Sequence, residues 1–162
     1  MQFRKATLND IDEIMRIYSE SREFMRETGN FSQWGNGYPA RELILEDISG
    51  GNSIILEEEG EILAVFAMFD GPDKTYNIIK DGEWLNLKPY GVIHRIAVAK
   101  KGRGLSSLCF KYGMDRYKNI RIDTHENNLP MQKALIKNGF SRCGIIFLEN
   151  GDERIAFQKI QK

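Results

Sequence analysis

The chain has 162 residues, with 23 basic and 23 acidic side chains, so its formal net charge is zero. That balance argues against nucleic acid or an anionic membrane as a partner, since both call for concentrated positive charge. The length suits one domain that buries its apolar surface without disulfides or metals.

Cys109 and Cys143 lie in apolar contexts without C-x-x-C spacing. They suit structural thiols in a reducing cytosol better than a redox pair. With only His94 and His125 besides, no zinc site can be assembled. The opening residues, MQFRKATLND, lack an apolar signal core, and no run approaches the ~20 apolar residues of a membrane span. The sequence therefore predicts a soluble, cytoplasmic protein without a metal.

In chain order, QFRKA is a short strand, and Thr7 caps a helix that begins at Leu8. Its acidic first turn suits a helix N-terminus, and Leu8, Ile11, Met15 and Tyr18 form a core stripe at helical spacing. The helix stops near Gly29. NFSQWGNGYPA follows as a loop carrying large aromatics, and RELILEDI is a second helix ending at Gly50-Gly51. SIILEEEGEILAVFAMFD reads as two strands around a solvated acidic tip. GPDKTYNIIKDGEWLNLKP is a polar, irregular excursion. Val92 to Val98 is an apolar strand, followed by a basic turn and a helix to Tyr117. NIRIDTH is a strand and NNLPMQKALIKNG a helix, with Pro130 in its first turn and Gly139 at its stop. The chain ends in a hairpin for which Asn150-Gly151 supplies a type I′ turn.

The predicted order is β α α β β β α β α β β, an α/β (α+β) domain spanning residues 1–162. It is built on one mixed, mostly antiparallel sheet of about seven strands. The strand–helix–strand in the middle is expected to be a parallel crossover.

The turn KKGRGLSS is the chemical signal. A helix N-terminus presents unpaired N–H groups and partial positive charge, which a phosphate satisfies. Gly102 and Gly104 allow close approach to the backbone. Lys100, Lys101 and Arg103 add charge, and Ser106 and Ser107 add hydroxyl donors. An ordinary turn that needs glycine for its dihedrals is the plain alternative. A Walker A loop, G-x-x-x-x-G-K-[ST], is absent. A dinucleotide fingerprint would need a third glycine where Ser107 stands, and further βα units where a hairpin follows.

In KGRGLS, residues 101–106, the turn resembles the pyrophosphate loop [QR]-x-x-G-x-[GA] of the GNAT superfamily of acyl-CoA-dependent N-acetyltransferases. Lys101 stands in the first position, Gly104 in the fourth and Ser106 in the last. A second motif of that family, N-x-x-A-x-x-x-Y-x-x-x-G-F, is similar to NLPMQKALIKNGF. That places Asn128, Met131, Leu135, Gly139 and Phe140 at its positions. The predicted element order also resembles the family from end to end.

The resemblance implies acetyl-CoA as co-substrate. Its pantetheine arm would lie along the backbone of Ile96, Ala97 and Val98, and its pyrophosphate on Lys101, Gly102, Arg103, Gly104, Leu105, Ser106 and Ser107. Asn128 would reach the pantetheine or the phosphates. The reaction implied is direct attack by an amine on the thioester, with the backbone N–H near Val98 polarising the carbonyl. His94 is the candidate base. It lies four residues before Val98, on the same face by the strand period of two, and its ordinary pKa of about 6.5 suits proton transfer. The competing reading is a half-buried histidine bonded for structure.

Where the family often has an acid tyrosine, this chain has Leu135. Tyr112 and Cys143 are alternative acids, and a thiol of pKa about 8.5 can also leave without one. For the acceptor, the resemblance points to the loop after the first helix and to the excursion. Phe31, Trp34, Tyr38 and Trp84 are the candidate aromatic contacts and Asp123 the candidate carboxylate for a cationic amine. Core packing for the aromatics and helix capping for Asp123 are the alternatives.

The sequence thus predicts transfer of acetyl to a primary amine of a small molecule, or to a peptide N-terminus or lysine. The terminal hairpin offers a homodimer contact. The rival is an acyl-CoA-binding sensor with little transferase activity, which Leu135 favours and His94 opposes.

Overall fold

The computed structural model describes residues 1–35 and 37–162. Its elements follow the predicted order: β1 (Gln2–Lys5), α1 (Ile11–Glu27), α2 (Arg41–Ser49), β2 (Ser53–Glu58), β3 (Glu61–Asp70), β4 (Gly91–Val98), α3 (Leu105–Tyr117), β5 (Asn119–Thr124), α4 (Leu129–Lys137), β6 (Ser141–Phe147) and β7 (Glu153–Ile160). The strands form a seven-stranded sheet in the order β1-β2-β3-β4-β5-β7-β6. The β4–β5 pair is parallel, while β1–β2, β2–β3, β5–β7 and β6–β7 are antiparallel. Among the described residues, no helix is long and apolar enough to cross a membrane. The chain divides into two compact units, Met1–Met68 with His94–Cys109, and Phe69–Ile93 with Phe110–Lys162.

In the first unit, α1 and α2 bury one face each against β2 and β3. Ile14, Ile17 and Tyr18 of α1 and Ile44 of α2 pack with Ile55 and Val65, all at most 1 % exposed. The α1 stripe differs from the predicted one at its start. Thr7 leads into a single 3₁₀ turn over Leu8–Asp10, and the α-helix begins only at Ile11. A 3₁₀ turn advances three residues per turn, not 3.6, so Leu8 falls out of phase and faces solvent. Ile14 and Ile17, passed over in the sequence stripe, take its place.

The tight type I′ turn sits at the β2–β3 tip, not at the C-terminal hairpin. Glu59 and Gly60 both hold positive φ, 51° and 80°, between Glu58 and Glu61, the twist-matched solution for a two-residue loop. At Asn150-Gly151, only Gly151 is left-handed. Its N–H closes a turn onto the Leu148 carbonyl, and the Asn150 side chain accepts from the Asp152 N–H. That longer loop has room for the Asn150 side chain to bond locally, which removes the need for a second left-handed residue.

In the second unit, β5 pairs antiparallel with β7 from Asn119↔Ile160 to Thr124↔Ile155. The parallel register to β4 pairs Gly91 with Ile120 and Val92 with Arg121. The excursion over 71–90 contains one 3₁₀ turn, Lys74–Tyr76, and is more ordered than its polarity suggests. Arg121, buried, lies between the rings of Trp84 and Tyr90 at 4.1 and 4.0 Å and donates to the Asn86 carbonyl. Gln158 ties Leu85 N–H to the Asn119 side chain. A guanidinium between two aromatic faces and a satisfied amide network together fix the segment.

The chain's N-terminus is fastened by charge. Arg4 makes two bonds to Asp10, at 2.8 and 2.9 Å, and pairs with Glu57 through Nε at 3.0 Å. The Arg4 hydrogen bonds, against an opposing effect of burial and with help from the Thr7 N–H, hold the Asp10 carboxyl down at about 2. A carboxyl with a lowered folded-state pKa stabilises the fold above its unfolded value and loses that contribution as pH falls through the folded one. Thermal unfolding followed between pH 5 and pH 2 is expected to show a steeper acid-side loss in the wild type than in Asp10→Asn. Parallel curves would show that Asp10 carries no such contribution.

Candidate active site

The site's frame in the first unit is the upper half of β4, the turn after it, and the start of α3. Lys101 to Gly104 form the turn, and Gly102 and Gly104 have φ of 77° and 67°. Among the described residues, and apart from each glycine's chain neighbours, no atom lies within 4 Å of where a Cβ would stand at either glycine. The glycines are therefore required by backbone conformation and leave open space in front of the turn. That space, beside the first N–H groups of a 13-residue helix, fits an anionic guest such as a pyrophosphate.

The turn's cations already have partners. Lys100 pairs with Glu61 at 2.9 Å and Arg103 with Glu58 at 3.6 Å, both pairs being solvent-exposed. The acidic tip of the β2–β3 hairpin, read from sequence as merely solvated, is the counter-charge of the turn. The Lys101 ammonium lies 4.4 Å from the Phe24 ring centroid and bonds the Val98 carbonyl. Leu105 is buried, so its side chain anchors the start of α3 while Ser106 and Ser107 stay half-buried beside the turn.

Sequence reasoning missed the best-ordered feature of β4. Arg95 has φ +53° in mid-strand, which costs a non-glycine residue about 1–3 kcal/mol and persists only where the surroundings hold it. Three contacts do so. The buried Tyr18 hydroxyl donates to the Arg95 carbonyl at 2.8 Å, and burial pushes the Tyr18 pKa far up, so the hydroxyl keeps its proton. Nε and Nη2 of Arg95 bind the two carboxylate oxygens of Asp47 at 2.9 and 2.8 Å. Nη1 donates to the Tyr38 hydroxyl at 3.3 Å.

The side chains of Arg95 and Asp47 are only 10 % and 5 % exposed. The partners respond differently to burial. It acts against the Arg95 charge, but Tyr38 and Asp47 outweigh it and the guanidinium holds its proton more tightly than usual. In Asp47 burial outweighs the Arg95 hydrogen bonds and raises the carboxyl. The bidentate geometry, two charge-assisted bonds in one plane, decides for the ionised pair. A lone arginine within GVIHRIAV was the available signal, since a charge in a buried strand requires a buried partner.

His94 is half-buried on β4, beside Arg95. The left-handed residue at 95 interrupts the alternation between His94 and Val98, so the period-of-two count that put them on one face does not carry across it. Ile96 and Val98 are half-buried, and Ala97 packs into the α1–α2 core. Among the acceptor candidates of this unit, Trp34 and Tyr38 come together, with ring centroids 6.2 Å apart. Tyr18 stands edge-on to Trp34 at 5.6 Å. Trp34 is buried, Tyr38 borders solvent, and Phe31 is 68 % exposed.

In the second unit, Trp84 is a core residue. It is buried, packs on Tyr76 at 5.3 Å, and donates Nε1–H to the Tyr76 carbonyl. The buried Tyr76 hydroxyl donates to Asp123 Oδ2 at 2.7 Å. Asn128 is buried and caps α4, its Oδ1 accepting from the Met131 N–H. Leu135 is wholly buried, which is why a leucine suits that helix face. Both cysteines are free and buried. Burial raises the Cys143 thiol and pushes Cys109 up to about 12, so neither favours a thiolate.

No protein-family model matches the chain, and a comparison with curated proteins gives no match. Solved structures do match. A GNAT-family acetyltransferase from Streptococcus agalactiae is 36 % identical with a TM-score of 0.92, over 99 % of this chain and 95 % of that one. A GNAT-family acetyltransferase from Listeria monocytogenes is 21 % identical with a TM-score of 0.73, over 98 % and 94 %. A phosphinothricin acetyltransferase from Sinorhizobium meliloti, solved in complex with AcCoA, is 14 % identical with a TM-score of 0.67, over 99 % and 88 %. The last two share the fold; the first, at that identity over nearly the whole chain, places this protein in the GNAT family of acetyltransferases.

Proposed function

We propose that this protein moves the acetyl group of acetyl-CoA to the primary amine of a small molecule or peptide. The observation that carries the reading is the turn 101–104, left-handed at both glycines and open where each Cβ would stand, at the N-terminus of α3. Backbone N–H groups from Gly102 to Ser107 take the pyrophosphate. The backbone of Ile96 to Val98 takes the pantetheine arm.

The amine nitrogen attacks the thioester carbon, the C–S bond breaks, and coenzyme A leaves as thiolate. The proton lost from nitrogen passes to His94, directly or through water. A backbone N–H near Val98 stabilises the oxyanion. Trp34 and Tyr38 border the acceptor. The free, buried thiols suit a reducing cytoplasm.

A second reading, an acyl-CoA sensor with little turnover, is favoured by one observation. Leu135 fills the core where many relatives would be expected to carry an acid. Thiol release from acetyl-CoA across a panel of amines and peptides separates the two. Release that depends on the amine supports the enzyme; tight CoA binding with no release for any amine supports the sensor.

Gly104→Val places a β-branched residue at φ +67° and fills the space before the turn. Its affinity for CoA, by calorimetry, is expected to fall at least about tenfold, in line with a strain above 1.4 kcal/mol. Unchanged affinity would refute the pyrophosphate assignment. His94→Ala is expected to lower kcat by about 10²-fold or more, with CoA affinity kept. A wild-type kcat in that variant would remove His94 from the chemistry.

A further inference from the structure

We infer that Tyr18 and Asp47 are positioning residues for the acyl donor, acting through Arg95. They clamp one left-handed residue into β4 and so set the orientation of the backbone that follows. The inference rests on the reading above that Ile96 to Val98 line the pantetheine arm.

A single residue at positive φ turns the peptide after it away from the ladder direction that a regular strand would keep. Without support, an arginine at that position relaxes to the extended form, and the N–H and C=O groups beyond it return to strand geometry. The clamp acts at both ends of the residue. Tyr18, from α1, holds the carbonyl at 2.8 Å, and Asp47, from α2, holds the guanidinium in two bonds. Neither side chain has to touch the cofactor. The same guanidinium donates to Tyr38, so the loop bearing the acceptor aromatics is tied to the residue that shapes the donor strand. Arg95 is thus an unusual choice for a left-handed position because its side chain, not its backbone preference, supplies the conformation.

Glycine offers the test, since it adopts φ +53° without the penalty that alanine meets. The double variants Arg95→Gly/Asp47→Asn and Arg95→Ala/Asp47→Asn remove the ion pair equally and leave no buried carboxylate unpaired. They differ only in whether the backbone at 95 prefers to relax. CoA affinity is measured by calorimetry on the full chain, with melting temperature alongside.

The glycine variant is expected to bind CoA within about threefold of wild type. The alanine variant should bind roughly tenfold more weakly, the factor that a left-handed penalty of 1–2 kcal/mol implies. Equal affinities in the two variants would overturn the clamp, because a role in bulk stability would move both together. Tyr18→Phe, which keeps the ring and removes the hydroxyl, gives an independent arm. A weaker Kd for CoA supports the inference, and an unchanged Kd opposes it. If the wild type itself binds no CoA, the acetyl-CoA reading has failed, an outcome distinct from wild-type binding with equal double variants.

Discussion

The ion pair between Arg95 and Asp47 is the interaction on which the conformation of β4 at Arg95 depends. Two buried charges are expensive to desolvate, and removing one partner of such a pair typically costs about 3–5 kcal/mol. The pair is therefore a poor device for stability alone, because an apolar pair of similar volume would serve as well. Its value is directional. Planar, two-pronged bonding specifies where the Arg95 side chain lies, and with Tyr18 on the carbonyl it also specifies the backbone. Helices α1 and α2, which otherwise read as ordinary amphipathic cover for the sheet, become supports for one residue of β4.

The fold was largely legible because its elements announce themselves by composition. Apolar strands, capped helices and glycine stops lie in the order found, and FLENGDER marks a hairpin. The failures have local physical causes. Leu8 dropped out of the core because a 3₁₀ turn changed the helical phase. Asn150-Gly151 looked like the tight turn, yet Glu59-Gly60 adopts it. There, strand pairing on both sides leaves only two residues to reverse the chain, and that geometric demand outweighs Glu59's poor propensity for a left-handed conformation.

In the candidate site, what is local was legible, and what depends on side chains acting through one another was not. The glycine turn could be read directly, since glycine, basic residues and a helix start are all local. Arg95 could not, because its partners lie 48 and 77 residues away and only the tertiary fold brings them together. Trp84 shows the opposite case. An aromatic in a polar, irregular stretch looked like an acceptor contact, but the excursion folds back on itself and buries the ring beneath Arg121. Distance in sequence, not chemical subtlety, separated what could be read from what could not.

The hairpin tip at Glu58 and Glu61 has a further meaning for the turn it faces. Two of the turn's three cations, Lys100 and Arg103, already have carboxylate partners, while Lys101 rests on the Phe24 ring and the Val98 carbonyl. Because both pairs are solvent-exposed, the acidic tip trims the attraction of the turn's charge without covering its backbone N–H groups.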